Sequence, residues 1–137
     1  MNIEKQKAYV KDGNTMSYAF RIQQLKNLYD AIIKFEGMIF KALKKDLNKT
    51  FYESYLTEVG FVLKSITYTQ KHLKKWMKTK KVKTPFYQLF TTSYLQPEPL
   101  GTVLIIGAYN YPFQLLIEPL IGAIAAGNTV VLKQSEQ

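Results

Sequence analysis

Few residues in this chain have side chains suited to catalysis. The 137-residue sequence contains no cysteine and a single histidine, His72. Without cysteine there can be no disulfide, no thiolate metal site and no cysteine nucleophile. His72 lies in a lysine-rich stretch with no partner nearby in the sequence. It is therefore predicted to be a surface residue, and it supports no catalytic triad.

Asn110 is the most promising polar candidate because of what precedes it. It follows an almost continuous apolar run, residues 100–107, which is typical of a strand buried on both faces of a parallel sheet. Ligands bind at the carboxyl ends of such strands. The Asn110 side chain could contact a ligand there, or it could serve only as the N-cap of a following helix that has Pro112 in its first turn.

The last part of the chain predicts one βαβ unit. After the strand, an apolar helix extends to Ala126 and ends at Gly127-Asn128, and residues 129–133 form a second buried strand. Pro119 should kink or divide this helix. The dinucleotide motif G-x-G-x-x-G is absent, so the pattern alone leaves a cofactor-binding sheet and a cofactor-free α/β fragment equally open.

Two further parts precede this unit. Residues from about 14 to 77 predict a hairpin of two amphipathic helices, in which Gly37 weakens the first helix and Thr50 begins the second with capping-box spacing to Glu53. The inner-face residues recur at three- and four-residue steps: Ile22, Leu25, Tyr29, Ile32, Ile39, Leu43 and Leu47, then Tyr55, Val59, Val62, Ile66, Leu73 and Met77. Aromatic and β-branched residues between prolines predict short strands in 78–99. The expected division is 1–77, 78–99 and 100–137.

The net charge of +9 is unevenly distributed. No acidic residue lies between Glu58 and Glu98, and that interval holds Lys64, Lys71, Lys74, Lys75, Lys78, Lys80, Lys81 and Lys83. Such a block can attract nucleic acid or an anionic membrane, although a solvated helix end and loop is the favoured interpretation. No signal peptide or 20-residue apolar span is evident, which predicts a cytoplasmic protein without a transmembrane segment.

Two segments carry a resemblance to a known family. Residues 99–113, PLGTVLIIGAYNYPF, and residues 118–133, EPLIGAIAAGNTVVLK, followed by Ser135 and Glu136, closely resemble the aldehyde dehydrogenase family, nearest to its class 3 branch. The resemblance implies a doubly wound, Rossmann-like cofactor sheet and oxidation of an aldehyde to a carboxylic acid, with hydride transfer to NAD or NADP. It also implies a homo-oligomer paired through the 78–99 arm, and that the chain is an amino-terminal fragment.

The resemblance also assigns site residues. Asn110 would donate its side-chain amide to the oxyanion of the thiohemiacetal intermediate. Lys133 and Glu136 would hold the adenine-side ribose of the cofactor, although by themselves they could be an idle surface ion pair. The cofactor would also be lined by Ile106, Ala108 and Tyr109. Tyr109 replaces a more usual Trp and Gln134 a more usual Pro, which puts fine specificity in doubt. The family's catalytic cysteine and glutamate base have no counterpart here.

Two rival functions remain open from the sequence. One is a basic interaction module that binds nucleic acid through Lys64–Lys83, although no nucleic-acid partner is expected. The other is an acyl-phosphate or semialdehyde reductase on the same scaffold.

Overall fold

The computed structural model describes residues 2–136, and its longest element is a 30-residue helix, α2 (Tyr18–Leu47). Ser17 caps its start by accepting from the backbone N–H of Phe20 at 3.1 Å. The helix ends at Asn48, which adopts the left-handed conformation with a φ of 53°. Gly37 lies inside α2 without interrupting it.

A second helical stretch packs on α2 to form the predicted hairpin. It consists of α3 (Phe51–Ser54), a π-helical turn (Tyr55–Val59) and α4 (Gly60–Trp76). Thr50 caps it as predicted, since its hydroxyl accepts from the Glu53 amide at 3.2 Å. Most of the predicted inner face is buried. Tyr55 and Leu47 are corrections, because they remain 43% and 36% exposed at the ends of their helices.

A short helix, α1 (Ile3–Lys11), precedes the hairpin and was not predicted. Asn2 caps it, and it carries no buried residue. It contacts both strands of the parallel sheet described below.

The connector contains the predicted short strands. β1 (Lys80–Val82) pairs antiparallel with β2 (Ser93–Leu95), with Lys81 opposite Tyr94. The loop between them exposes four large apolar side chains: Phe86, Tyr87, Leu89 and Phe90.

The carboxyl-terminal part is the predicted strand–helix–strand unit. β3 (Thr102–Ile106) and β4 (Thr129–Lys133) pair in parallel, with Val103 opposite Val130, and α5 (Gln114–Ala126) connects them. The strands are not buried on both faces within residues 2–136. Ile105 is buried, whereas Leu104 and Ile106 are 60% and 65% exposed.

One end of α5 agrees with the prediction and the other does not. Its carboxyl end is the predicted glycine stop: Gly127 has a φ of 87°, and the amides of Gly127 and Asn128 bond to the carbonyls of Ile124 and Ala123. Its amino end is a correction, because α5 begins at Gln114 and leaves Pro112 before the helix. Pro119 does not divide α5. Proline has no N–H, so the carbonyl of Leu115 lacks its helical donor, and Leu115 is an exposed residue.

The core lies between α2, α4 and α5. Its buried members are aliphatic side chains from all three helices, among them Leu25, Val62, Ile66 and Ile121. The predicted α/β fold class is confirmed. Among the described residues, no helix is both long and apolar enough to cross a bilayer.

Candidate functional site

The candidate site lies at the carboxyl ends of β3 and β4. The Gly107 amide donates to the Lys133 carbonyl at 2.9 Å, which holds the ends of the two strands together. Ile106, Ala108 and Tyr109 follow each other along this edge with exposed side chains. The structure therefore brings these three residues to the same edge of the sheet as Lys133.

Asn110 lies in the loop between β3 and α5, and its side chain is exposed. The alternative in which Asn110 serves only as the N-cap of α5 is wrong. Phe113 is the residue before the helix, and its side chain makes no capping bond. Within residues 2–136 the Asn110 side chain makes no hydrogen bond, so its amide is available to a ligand at this edge.

The cap of α5 comes from Glu58, which lies in the π-helical turn 55 positions earlier. One carboxylate oxygen of Glu58, Oε2, accepts from the amides of Phe113 and Gln114 at 2.9 and 3.1 Å. A carboxylate satisfies the otherwise unpaired amides of a helix start and complements its positive dipole end. This nonlocal cap explains why Asn110 is released from that role.

Lys49 completes the same network. Its ammonium forms a buried ion pair with Oε1 of Glu58 and donates to the backbone carbonyl of Asn110 at 3.1 Å. It also lies 4.0 Å from the centre of the Tyr111 ring. Glu58 is fully buried and Lys49 is 7% exposed. Two buried side chains therefore hold the main chain of the loop that carries Asn110.

Sequence reasoning missed this pair, although one signal was available. Glu58 lies on the apolar face of its helix, three residues after Tyr55 and four before Val62. A carboxylate on a buried stripe needs partners, since unpaired charges are costly to bury. The partners were not visible because they come from residues 49 and 113–114.

Lys133 and Glu136 meet directly after β4. Nζ of Lys133 lies 2.6 Å from Oε1 of Glu136, with the two side chains 51% and 83% exposed. A groove of about 460 Å³ adjoins Glu136 and is bordered by Leu43, Pro112 and Phe113. An exposed ion pair contributes little to stability, so its position beside a groove is the more informative property.

The opposite end of α5 is held by Arg21. This residue is 4% exposed and donates from Nε to the Thr15 carbonyl at 2.9 Å and from Nη1 to the Ala125 carbonyl at 3.0 Å. Removal from water lowers the pKa of Arg21 below its usual range. Burial does not neutralise a guanidinium, so a cation stabilises the carboxyl end of α5.

The lysine block and His72 take part in none of the hydrogen bonds or ion pairs described above for this edge. All eight lysines of the block are exposed, as expected for a solvated surface. His72 is a partial correction, since its ring is half-buried and lies between those of Tyr68 and Trp76, with centroids 4.2 and 5.8 Å away.

Comparison with known proteins places these features in a family. The model of the aldehyde dehydrogenase family matches residues 2–137. The chain is 52% identical over 141 residues to the 4,4'-diaponeurosporen-aldehyde dehydrogenase of Staphylococcus aureus, covering 99% of this chain and 31% of that protein. It is 44% identical over 135 residues to the "Aldehyde dehydrogenase, dimeric NADP-preferring" of Canis lupus familiaris, covering 98% of this chain and 30% of that protein.

A solved structure shows the same backbone arrangement. The substrate-bound state of Staphylococcus aureus AldH superposes with a TM-score of 0.92 at 52% identity, covering 99% of this chain and 31% of that one. The chain thus spans less than a third of the length of these relatives. Since the family model extends over nearly the whole sequence and the fold agrees, the chain belongs to the aldehyde dehydrogenase family.

Proposed function

We propose that this chain is the amino-terminal part of a longer NAD(P)-dependent enzyme that oxidises an aldehyde to a carboxylic acid. In this proposal 1–77 supports the cofactor domain, 78–99 is an arm for homo-oligomer pairing, and 100–137 begins a Rossmann-like, doubly wound sheet. Met1 and Gln137, the outer ends of the first and last parts, lie outside the described residues. The canine relative's name describes a dimer that prefers NADP, which supports pairing and use of a dinucleotide. A cytoplasmic location is part of the same proposal.

The position of Asn110 is the observation that supports this proposal most directly. Its backbone carbonyl accepts a hydrogen bond from Lys49. Its exposed side chain lies at the carboxyl ends of the parallel strands, where such sheets bind ligands. In such a position the amide can donate to an oxygen that becomes negatively charged when a nucleophile adds to an aldehyde. A fixed donor of this kind favours the transition state over the neutral carbonyl, which is the condition for a rate increase.

The residues at the strand ends fit a dinucleotide. Glu136 uses one carboxylate oxygen for Lys133, and the carboxylate is exposed beside the groove, where hydroxyl groups of a ribose could donate to it. Ile106, which pairs with Lys133 across the sheet, and Ala108 offer exposed apolar surface at the same edge of the sheet. When bound, NAD or NADP supplies the hydride acceptor. Glu136 and Lys133 would orient its ribose, and a carboxylate here favours NAD by repelling an added 2′-phosphate, with NADP still possible.

Two groups needed for the reaction must come from outside this sequence. The thiolate that attacks the aldehyde cannot come from a chain without cysteine, and no residue here is assigned as the base for hydrolysis of the acyl intermediate. The basic-module alternative is not favoured, because the family match includes the whole lysine block.

The direct test is product analysis with the full-length protein that contains this sequence. Incubation with a set of aliphatic and aromatic aldehydes should give equal amounts of carboxylic acid and NAD(P)H. An enzyme that instead consumes NADPH with an acyl phosphate, and forms no acid from any aldehyde, would contradict the proposed direction and support the reductase alternative.

A further inference from the structure

We propose that Lys49 and Glu58 are positioning residues that act on the reaction through Asn110. This inference rests on the proposed role of Asn110 as an oxyanion donor. It adds two residues that touch neither substrate nor cofactor in the proposed mechanism. They fix the main chain from which the Asn110 amide extends.

Both oxygens of the Glu58 carboxylate have hydrogen-bond partners. Its carboxylate is fully buried, and each oxygen has a defined partner: Lys49 on Oε1, and the amides of Phe113 and Gln114 on Oε2. A buried carboxylate with satisfied oxygens has one stable orientation, because any rotation would leave a charge or an amide unpaired. Glu58 therefore sets where α5 begins.

Lys49 holds the other end of the loop, at Asn110. Lys49 is anchored by Glu58 and donates to the carbonyl of Asn110 itself, while its ammonium lies beside the Tyr111 ring. The segment from Asn110 to Gln114 is thus held at both ends by one ion pair. With its backbone held, Asn110 retains only its side-chain rotations, so the direction of its amide depends on Lys49 and Glu58.

Stability alone does not explain such a pair. Replacing a buried ion pair with apolar residues of similar volume is often neutral or stabilising. A helix start can also be capped locally by Asn, which the sequence offers at residue 110. Here the start of α5 is capped by Glu58, which is distant in the sequence and lies in a π-helical turn. Turns of this kind are frequent at functional sites. The arrangement leaves the Asn110 amide free for another partner.

The experiment is a kinetic double-mutant cycle in the full-length protein. Glu58→Gln keeps the shape of the side chain but removes its charge, so the anchoring of Lys49 is weakened. We expect kcat to fall by about 10- to 100-fold with the KM for the cofactor nearly unchanged. In an Asn110→Ala background the same Glu58→Gln change should lower kcat less than 3-fold, because the group being positioned is gone. Glu53→Gln, an exposed carboxylate of the same helical stretch, is the matched control and should leave kcat unchanged.

The cycle separates the two proposals. If Asn110→Ala itself leaves kcat unchanged, the oxyanion role fails. If Asn110→Ala lowers kcat but the Glu58→Gln loss is equally large with and without Asn110, the positioning role fails and Glu58 is only structural. Should Glu58→Gln not yield folded protein, Lys49→Arg serves in the same cycle. It keeps the charge but changes the donor geometry at the Asn110 carbonyl, and the same two outcomes support or overturn the inference.

Discussion

The guanidinium of Arg21 donates to the backbone carbonyl of Ala125 at 3.0 Å and so joins the start of α2 to the last turn of α5. Together with the Thr15 carbonyl, this contact satisfies a cation that is almost wholly removed from water. Glu58 holds the other end of α5. The helix that follows the candidate site is therefore fixed at its two ends by charges of opposite sign, each placed to complement the helix dipole.

Arg21→Met should destabilise the fold without changing the chemistry. The substitution leaves the Thr15 and Ala125 carbonyls without their donor in a buried position, which costs about 1–3 kcal/mol for each group. We expect the free energy of unfolding of the full-length protein to fall by about 2–4 kcal/mol in urea titration. A loss below 0.5 kcal/mol would show that water replaces the guanidinium easily.

Gly127→Ala should also lower the free energy of unfolding, for a steric reason at the same end of α5. A Cβ on Gly127 would lie 2.5 Å from Nη2 of Arg21, and the φ of 87° disfavours any L side chain. We expect a loss of about 1–3 kcal/mol, measured by the same titration. Gly122→Ala is the matched control, since a Cβ there meets nothing within 4 Å. Equal stabilities of the two variants would contradict the prediction.

Asn110→Ala in the full-length protein should lower kcat by roughly 10²–10³ while changing cofactor affinity little. The reason is that the amide donates mainly to the charge that develops in the transition state. Steady-state kinetics and a separate cofactor titration measure the two effects. Asn27→Ala, on the exposed face of α2, provides the control. Near-normal kcat in the Asn110 variant would remove this residue from the mechanism.

Glu136→Gln should act on the cofactor rather than on the chemical step. Loss of a charged acceptor for the ribose hydroxyls is expected to raise the KM for NAD by roughly 10-fold or more, with a smaller change in kcat. Glu4 and Lys7 form a comparable exposed ion pair on α1, with a distance of 2.9 Å, so Glu4→Gln is the matched control. If both variants behave alike, the Lys133–Glu136 pair is only a surface contact.

A protein made of these 137 residues alone should form no NAD(P)H from aldehydes and should self-associate. The nucleophile is missing, because the sequence contains no cysteine. Within residues 2–136 the parallel sheet has two strands with unpaired outer edges, and Leu104, Ile106 and Leu132 on it are 60%, 65% and 44% exposed. Sedimentation at micromolar concentration and an aldehyde assay test the two statements. A compact monomer that unfolds cooperatively would show that the helices cover this sheet well enough.

The sequence predicted the elements whose signals are local. The repeat of Leu25, Ile32 and Leu43 marks the buried face of α2, and Gly127 marks the end of α5, because each depends on neighbours a few residues away. The β3–α5–β4 order was equally accessible from its apolar runs and glycine stop.

The sequence did not predict the features that depend on distant partners. α1 has no buried residue, and its contact with the parallel sheet identifies it as part of the fold. Asn110 is a plausible N-cap by residue type and position, but the amides at the start of α5 donate to Glu58 instead. The apolar strand before it already indicated Asn110, and the resemblance to a family added Lys133 and Glu136. Lys49 and Glu58 were identified only in the structure.

The cap that Glu58 provides also has a consequence for the order in which the chain folds. A 13-residue helix such as α5 is only marginally stable by itself in water, and its first amides have no local acceptor. During synthesis the amino-terminal segments emerge first, so the α2–α4 hairpin can present the Glu58 carboxylate before residues 113 and 114 leave the ribosome. We therefore expect α5 to dock on a hairpin that already carries its cap. In a circular permutant that places residues 100–136 ahead of the hairpin, α5 would leave the ribosome before its capping carboxylate.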